Sequence, residues 1–391
     1  QVGVLSRPRG VFGFQYTDDA VAGGAGRPLL SVSMPVSSRL VRGTLPLVFF
    51  DGLLPEGEIR RMIAYDFGLD ATDLFGLLRE LGRDFAGALI LLPEGEHPAP
   101  EGQPEAISGD DVARRLRDLR FHPLGVDRRV RASLAGMQEK LLLARSEEGW
   151  GLPVDGVPST HILKPAHPLL PLSIANEALC LRAARHLGMR VANVEIAEFS
   201  GASALVIERY DRVRTLDKVV RLHQEDFCQA LGVPSEAKYE ERGGPSLRNC
   251  AELLRRWARS DQLEHLLDGL LLNVVVGNAD AHAKNFSLVH GDDGQIALAP
   301  LYGVMTTVHY PGVDPVAGMY VNGIREIAQI GARDVVAEAV GWGLRRPIAE
   351  ARVYRRLQEL EPAILQAADE LGSPGELVQT LIGRSQALAR S

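Results

Sequence analysis

The sequence predicts an α+β fold in which a small mixed α/β unit, a strand-rich lobe and a helical lobe follow one another along 391 residues. Three observations predict it. Short apolar strands alternate with helical patterns over residues 1–95, strands gather around a single helix in 130–214, and the helical pattern dominates 215–391. A chain of this length exceeds one ordinary core, so two or three packed units are expected.

In the first region, residues 29–35 read as a strand, and 58–67 and 73–82 as helices of an accessory subdomain spanning 1–95. The stretch 93–102 is dense in proline, glycine and acid, which marks an exposed boundary at the start of a linking region, 96–129. Between 130 and 214, strands are expected at 140–144, 161–164, 194–199 and 204–208, around a helix at 174–187. The apolar run 266–276 reads as a buried helix that delivers the polar segment after it to a fixed place. A strand-rich lobe followed by a helical one predicts a cleft, a common location for a nucleotide site.

Composition narrows the classes. Hydrophobic residues make up 46% and charged residues 24%, ordinary values for a globular chain. Forty-three Lys and Arg against fifty Asp and Glu give a net charge of −7, so no global positive field points to nucleic acid, although a local basic face stays open. Cys180, Cys228 and Cys250 lack metal-ligand spacing and read as small core residues of a reducing compartment. No run approaches the roughly 18 apolar residues needed to span a bilayer, and the first residues show no charged-then-apolar leader, so a cytoplasmic location is expected.

The richest segment is Gly277-Asn278-Ala279-Asp280-Ala281-His282-Ala283-Lys284-Asn285. Asp280 and Asn285 stand five apart, the separation at which protein kinases carry a catalytic-loop aspartate and a metal-holding asparagine. An aspartate can orient a hydroxyl and accept its proton, an asparagine oxygen is a hard neutral ligand suited to magnesium, and Lys284 can meet phosphate charge. The other reading is a solvated helix-to-strand loop with an Asx-turn. Ser133 to Lys140 joins two extended stretches through small residues, either as a loop whose amides close over phosphates or as a hairpin turn. Lys164 ends an apolar strand, either snorkelling into water or held against phosphate oxygens with Glu177 as its orienting carboxylate. Backbone groups at Glu208 and Tyr210 suit an adenine edge, while Arg209, Asp211 and Arg212 read as possible surface pairs.

In this order, the segments resemble the HipA family of serine/threonine protein kinases, the toxin halves of bacterial type II toxin–antitoxin modules. The resemblance runs through Phe49-Phe50-Asp51-Gly52-Leu53-Leu54-Pro55-Glu56-Gly57, Ser133 to Lys140, Thr160-His161-Ile162-Leu163-Lys164 and Glu208-Arg209-Tyr210-Asp211-Arg212. It continues through Gln224-Glu225-Asp226-Phe227-Cys228-Gln229, Lys238-Tyr239-Glu240, Gly243-Gly244-Pro245 and Gly277 to Leu288. It implies a two-lobed protein-kinase-like fold with an added N-terminal subdomain, and ATP and magnesium as cofactors. By the resemblance Asp280 is the catalytic base and Asn285 a magnesium ligand, with His282, Ala283 and Lys284 in the nucleotide-contacting turn. Lys164 binds the phosphates; Ala135, Gly136, Met137, Gln138, Glu139 and Lys140 form the nucleotide loop, and Glu208, Arg209 and Tyr210 the adenine-side hinge. Ser133 matches the serine that family members phosphorylate on themselves, an event linked to loop ejection and loss of activity. The implied partners are a helix-turn-helix antitoxin of the HipB type, operator DNA reached through that antitoxin, and a protein substrate such as an aminoacyl-tRNA synthetase.

One departure stands out. Where the family carries an Ala-Pro-x-Tyr-Asp segment whose aspartate is the second magnesium ligand, this chain reads Ala299-Pro300-Leu301-Tyr302-Gly303. Glycine supplies no side-chain oxygen, so a severe catalytic defect is expected. Asp292 and Asp293, in a glycine-flanked turn, are expected to face solvent rather than replace it. Two other classes compete: a pseudokinase that binds nucleotide, antitoxin and DNA, and a metal-dependent hydrolase built on Asp280-Ala281-His282. The hydrolase lacks ligands, because the other histidines are scattered and zinc sites normally need three.

Overall fold

The computed structural model describes residues 1–98, 102–127, 129–215, 218–291 and 294–390, and the chain divides into two compact units. The first comprises Gln1–Pro165, Ala197–Ser235 and Val289–Gly294; the second comprises Ala166–Ile196, Glu236–Leu288 and Gln295–Ser391.

The first unit opens with a three-stranded antiparallel sheet, Gly3–Ser6, Gly13–Tyr16 and Val41–Arg42. Helices Thr44–Asp51, Gly57–Asp66 and Leu74–Leu81 follow it. The last begins where the Asp73 carboxylate accepts from the Gly76 amide. It places Leu74, Leu77, Leu78 and Leu81 on one buried face at i, i+3, i+4 and i+7, the spacing of an amphipathic helix. Five strands of a six-stranded sheet run in the order Glu105–Ala106, Gly149–Leu152, Leu141–Ser146, His161–Pro165, Ala202–Glu208, each antiparallel to its neighbour. Both sheets share one apolar core, from Phe14 and Phe49 through Leu141 and Leu163 to Val206. The expected linking region 96–129 contributes to that core. Its helix Gly109–Asp118, started by a Ser108–Asp111 capping box, buries Val112, Ala113 and Leu116.

Residues 29–35 do not form the expected strand, although Leu30, Ser31, Val32 and Met34 are all buried. Side chains take the place of a neighbouring strand. The Val32 amide donates to Glu225 Oε1 at 2.9 Å, the Ser31 hydroxyl to Glu225 Oε2 at 2.5 Å, and the Tyr16 hydroxyl to the Met34 carbonyl at 2.6 Å. His223 Nε2 donates to the Leu30 carbonyl at 2.7 Å, and burial, then the neighbouring His290, pushes its imidazole down to about 4. A depressed histidine contributes stability that is complete above its unfolded value near 6.5 and is lost as pH falls toward 4, where the unfolded chain binds the proton first. Urea unfolding should therefore show a loss of about 3 kcal/mol over that interval, and His223→Asn should flatten it; an unchanged slope in the variant would contradict this assignment.

The second unit is built on helix Gln262–Val276, buried at every position from 266 to 276 as expected. Helices Leu247–Trp257, Ala332–Gly341, Arg346–Leu371 and Gly375–Ala389 pack against it, and Ser173–His186 packs against Arg346–Leu371. The Arg352 guanidinium grips the buried Asp268 carboxylate through two bonds of 2.8 Å, pinning the long helix to the central one. Cys180, Cys228 and Cys250 are all buried free thiols. Among the described residues no helix is long and apolar enough to cross a membrane.

Candidate active site

Helix Gln262–Val276 ends on Gly277, in the left-handed region at φ +73°. A Cβ there would lie 2.6 Å from both Arg384 Nε and Val308 Cγ2, so the position requires glycine for backbone and space alike. Arg384 donates to the Val274 and Val275 carbonyls at 2.7 and 3.0 Å, satisfying the helix end. Beyond it the backbone is tied down. Thr307 Oγ1 accepts from the Ala279 amide at 2.8 Å and donates to the Gly277 carbonyl at 3.0 Å. The buried Asn278 donates to Asn273 Oδ1 at 2.7 Å and accepts from the Asp280 amide at 3.2 Å.

On this fixed turn the Asp280 side chain is 54% exposed, and its Oδ1 accepts from the Tyr239 hydroxyl at 2.6 Å. Asn285 Nδ2 donates to the Asp280 carbonyl at 2.6 Å, which orients the amide and ties the two residues together. A Cβ on residue 303 would lie 3.9 Å from Asn285 Oδ1. Gly303, at φ +63°, therefore sits beside the side-chain oxygen of Asn285. The residues present supply one neutral oxygen there and lack the carboxylate that a divalent cation between phosphates needs, so they do not make a complete magnesium site. Among the described residues no group of three or more His, Cys, Asp or Glu side chains is placed to hold a metal ion. Asp292 and Asp293 lie outside the described residues.

The rest of the turn is internal support. His282 is 5% exposed, and burial, then the charges of Lys238 and Lys284, hold its imidazole down to about 3, so it is neutral. It stacks edge-on with Tyr239 at 4.9 Å and 89°. Ala283 is buried and its amide reaches the Lys238 carbonyl at 3.3 Å. Lys284 is buried, and its carbonyl accepts from the Tyr302 hydroxyl at 2.8 Å.

In the first unit the 133–140 segment is an irregular docked loop, neither hairpin nor helix. The fully buried Ser133 hydroxyl donates to the Leu53 carbonyl at 2.7 Å. The Gly136 carbonyl accepts from the Glu56 amide at 3.3 Å, and Lys140 Nζ donates to the Ala135 carbonyl at 2.7 Å. Gly136 has φ +111°, open to glycine, and Met137 is 62% exposed. Lys164 lies in strand His161–Pro165 opposite Leu205, and the Arg209 amide donates to the Thr160 carbonyl at 2.9 Å, closing the end of that pairing beyond Glu208.

Arg209, Asp211 and Arg212 are not surface pairs. Their side chains are 1–5% exposed and meet the equally buried Asp84 in one network. Burial alone would raise the Asp84 carboxyl, but Arg212, Arg209 and the Ser159 hydroxyl hold it below the usual carboxylate range. Asp84, and the pairing of Tyr239 with Asp280, were hidden in the sequence because the partners lie 125 and 41 positions apart; Asn278 was legible as the leading polar residue of the motif.

Two family models match the chain: the HipA N-terminal domain over residues 1–92 and the HipA-like C-terminal domain over 132–372. The putative kinase Y4mE of Sinorhizobium fredii is 39% identical, with 94% of this chain and 90% of that protein covered. The serine/threonine-protein kinase toxin HipA of Shewanella oneidensis is 30% identical, with 91% and 84% covered. The solved complex of the Shewanella oneidensis HipA, HipB and operator DNA contains a chain with TM-score 0.84 and 27% identity, covering 100% of this chain and 94% of that one. The mixed helix and strand architecture is thus the expected HipA-like one. With the two family domains in order and a shared fold along the whole chain, this protein belongs to the HipA family of serine/threonine-protein kinase toxins.

Proposed function

We propose that this protein is a HipA-type toxin kinase, built to move the γ-phosphate of ATP to a serine or threonine of a protein target and impaired in that step by Gly303. The observation that carries the reading is the joined pair Asp280 and Asn285, with residue 303 within 3.9 Å of the Asn285 oxygen and lacking a carboxylate. In the transfer, the acceptor hydroxyl oxygen forms a bond to the γ-phosphorus, the bond from that phosphorus to the bridging oxygen breaks, and Asp280 receives the hydroxyl proton. Magnesium, when bound, supplies charge neutralisation on the phosphates. Asn285 would offer it a neutral oxygen, Lys164 and the 135–140 loop would meet phosphate, and the backbone at Glu208 and Tyr210 the adenine edge.

By the same reading, the partners are a helix-turn-helix antitoxin of the HipB type, operator DNA through that antitoxin, and a protein substrate of the aminoacyl-tRNA synthetase class; the solved HipA–HipB–operator relative supports the first two. A second reading, a nucleotide- and antitoxin-binding pseudokinase, is favoured by Gly303 itself. Phosphoproteomics of cells expressing this chain beside the Gly303→Asp form tests the choice: new serine or threonine phosphosites are expected only with the aspartate, and none in either would leave the pseudokinase.

Ser133 gives a related expectation. Its hydroxyl is fully buried against the Leu53 carbonyl, and a phosphate carrying roughly −1.5 to −2 charges cannot share that site without expelling the loop. Intact mass after expression in a host without a related kinase should show Ser133 unmodified; phosphate there would mean that Gly303 does not block transfer.

A further inference from the structure

An aspartate with a side chain 54% exposed on a turn samples several rotamers unless a neighbour holds it. Asp280 has such a neighbour. The Tyr239 hydroxyl donates to its Oδ1 at 2.6 Å, short for a neutral donor and in the range of charge-assisted bonds. The phenol is itself fixed: its ring meets the His282 ring edge-on at 4.9 Å, and the Lys238 ammonium and Arg242 guanidinium stand 5.8 and 5.5 Å from its centroid. Positive charge beside a phenol strengthens its hydroxyl as a donor, because it stabilises the electron density left on oxygen. His282, held neutral by burial, adds shape without a competing charge. The turn beneath is equally constrained, since a Cβ on Gly318 would come within 2.7 Å of the His282 amide nitrogen, and the Gly318 amide donates to the Ala279 carbonyl at 2.7 Å.

We infer that Tyr239 is a positioning residue of the transfer site: its hydroxyl holds the Asp280 carboxylate in the orientation that meets the acceptor hydroxyl. This rests on the reading of Asp280 as the base. Tyr239→Phe keeps the ring and removes the hydroxyl that bonds Asp280. In the Gly303→Asp background it should lower kcat about tenfold, the scale of one hydrogen bond to a charged group. The KM for ATP should stay within about twofold and the Tm should be unchanged, a split that general loosening of the fold would not give. With Asp280→Asn added, Tyr239→Phe should have no further effect. High-resolution crystal structures of the chain as it stands and of its Tyr239→Phe form give an arm independent of activity: one Asp280 rotamer with tyrosine, more than one with phenylalanine. Should Gly303→Asp prove inactive, the kinase reading falls while the crystal arm still decides the positioning role. An active Gly303→Asp enzyme whose kcat ignores Tyr239→Phe, or an Asp280 rotamer identical in both crystals, overturns the inference.

Discussion

Replacing Gly303 by Asp is expected to raise phosphoryl transfer by at least about 100-fold, the scale of one well-placed electrostatic stabiliser, and to turn tolerated expression into growth arrest. The geometry admits the side chain, since the first atom it would meet is Asn285 Oδ1 at 3.9 Å, ordinary van der Waals contact. Its carboxylate would then supply anionic oxygens beside the neutral amide oxygen, the combination a hard cation between phosphates requires. The backbone at φ +63° sets a cost of about 1 kcal/mol for a side chain, but aspartate is among the residues that visit this region most readily. Asp280→Asn in the restored protein should abolish the gain, because the hydroxyl loses its proton acceptor while the turn keeps its shape. Rate measurements on a phosphoacceptor peptide, with Tm as a folding control, check both halves. A correctly folded Gly303→Asp protein no more active than this chain would leave the nucleotide-binding module as the remaining reading.

The largest expected loss of stability lies away from the 277–285 turn, at Asp84. Its carboxylate accepts from the Ser159 amide and hydroxyl at 3.0 and 2.6 Å and pairs with Arg212 at 2.8 Å and Arg209 at 3.3 Å. Arg209 and Arg212 are 1–2% exposed, and in Asp84→Ala Asp211 would be the one carboxylate left to them among the described residues. Removing one partner of a buried ion network leaves uncompensated charge and typically costs about 3–5 kcal/mol. Denaturant unfolding of Asp84→Ala should show a loss of that size. Loss of order in the 133–140 loop should accompany it, because the Asp84 carbonyl accepts from the Ser133 amide at 2.9 Å. A loss below about 1 kcal/mol would mean that water reaches the network and that it does not brace the loop.

The parts legible in the sequence were those written locally. The apolar run ending at Val276 and the Asp280–Asn285 spacing lie within one helix and one turn, so periodicity and motif suffice to find them, and the strand 194–199 appears with the bounds expected. Residues 29–35 show where local reading fails: their apolar composition is that of a strand, but Glu225, His223 and Tyr16 satisfy the backbone from far along the chain. Helix Gly109–Asp118 was hidden by the proline- and acid-rich stretch before it, although its Ser108–Asp111 capping box is itself a local signal. The Arg209, Asp211 and Arg212 cluster reads as a charged surface segment until the distant Asp84 is known. Tyr239 became visible as a partner of Asp280 only once the fold brought them together.

Calorimetry of ATP binding, with and without magnesium, on this chain and on its Gly303→Asp form tests the central claim most directly. On the proposed reading the 135–140 loop, Lys164 and the strand end at Glu208 meet the nucleotide and all are present, so this chain should bind ATP, weakly and with little response to magnesium. The aspartate form should bind more tightly, with the gain appearing only when the metal is present. A chain that already binds ATP with strong magnesium dependence, or an aspartate form that gains none, would contradict the account of Gly303 as a metal site short of one carboxylate.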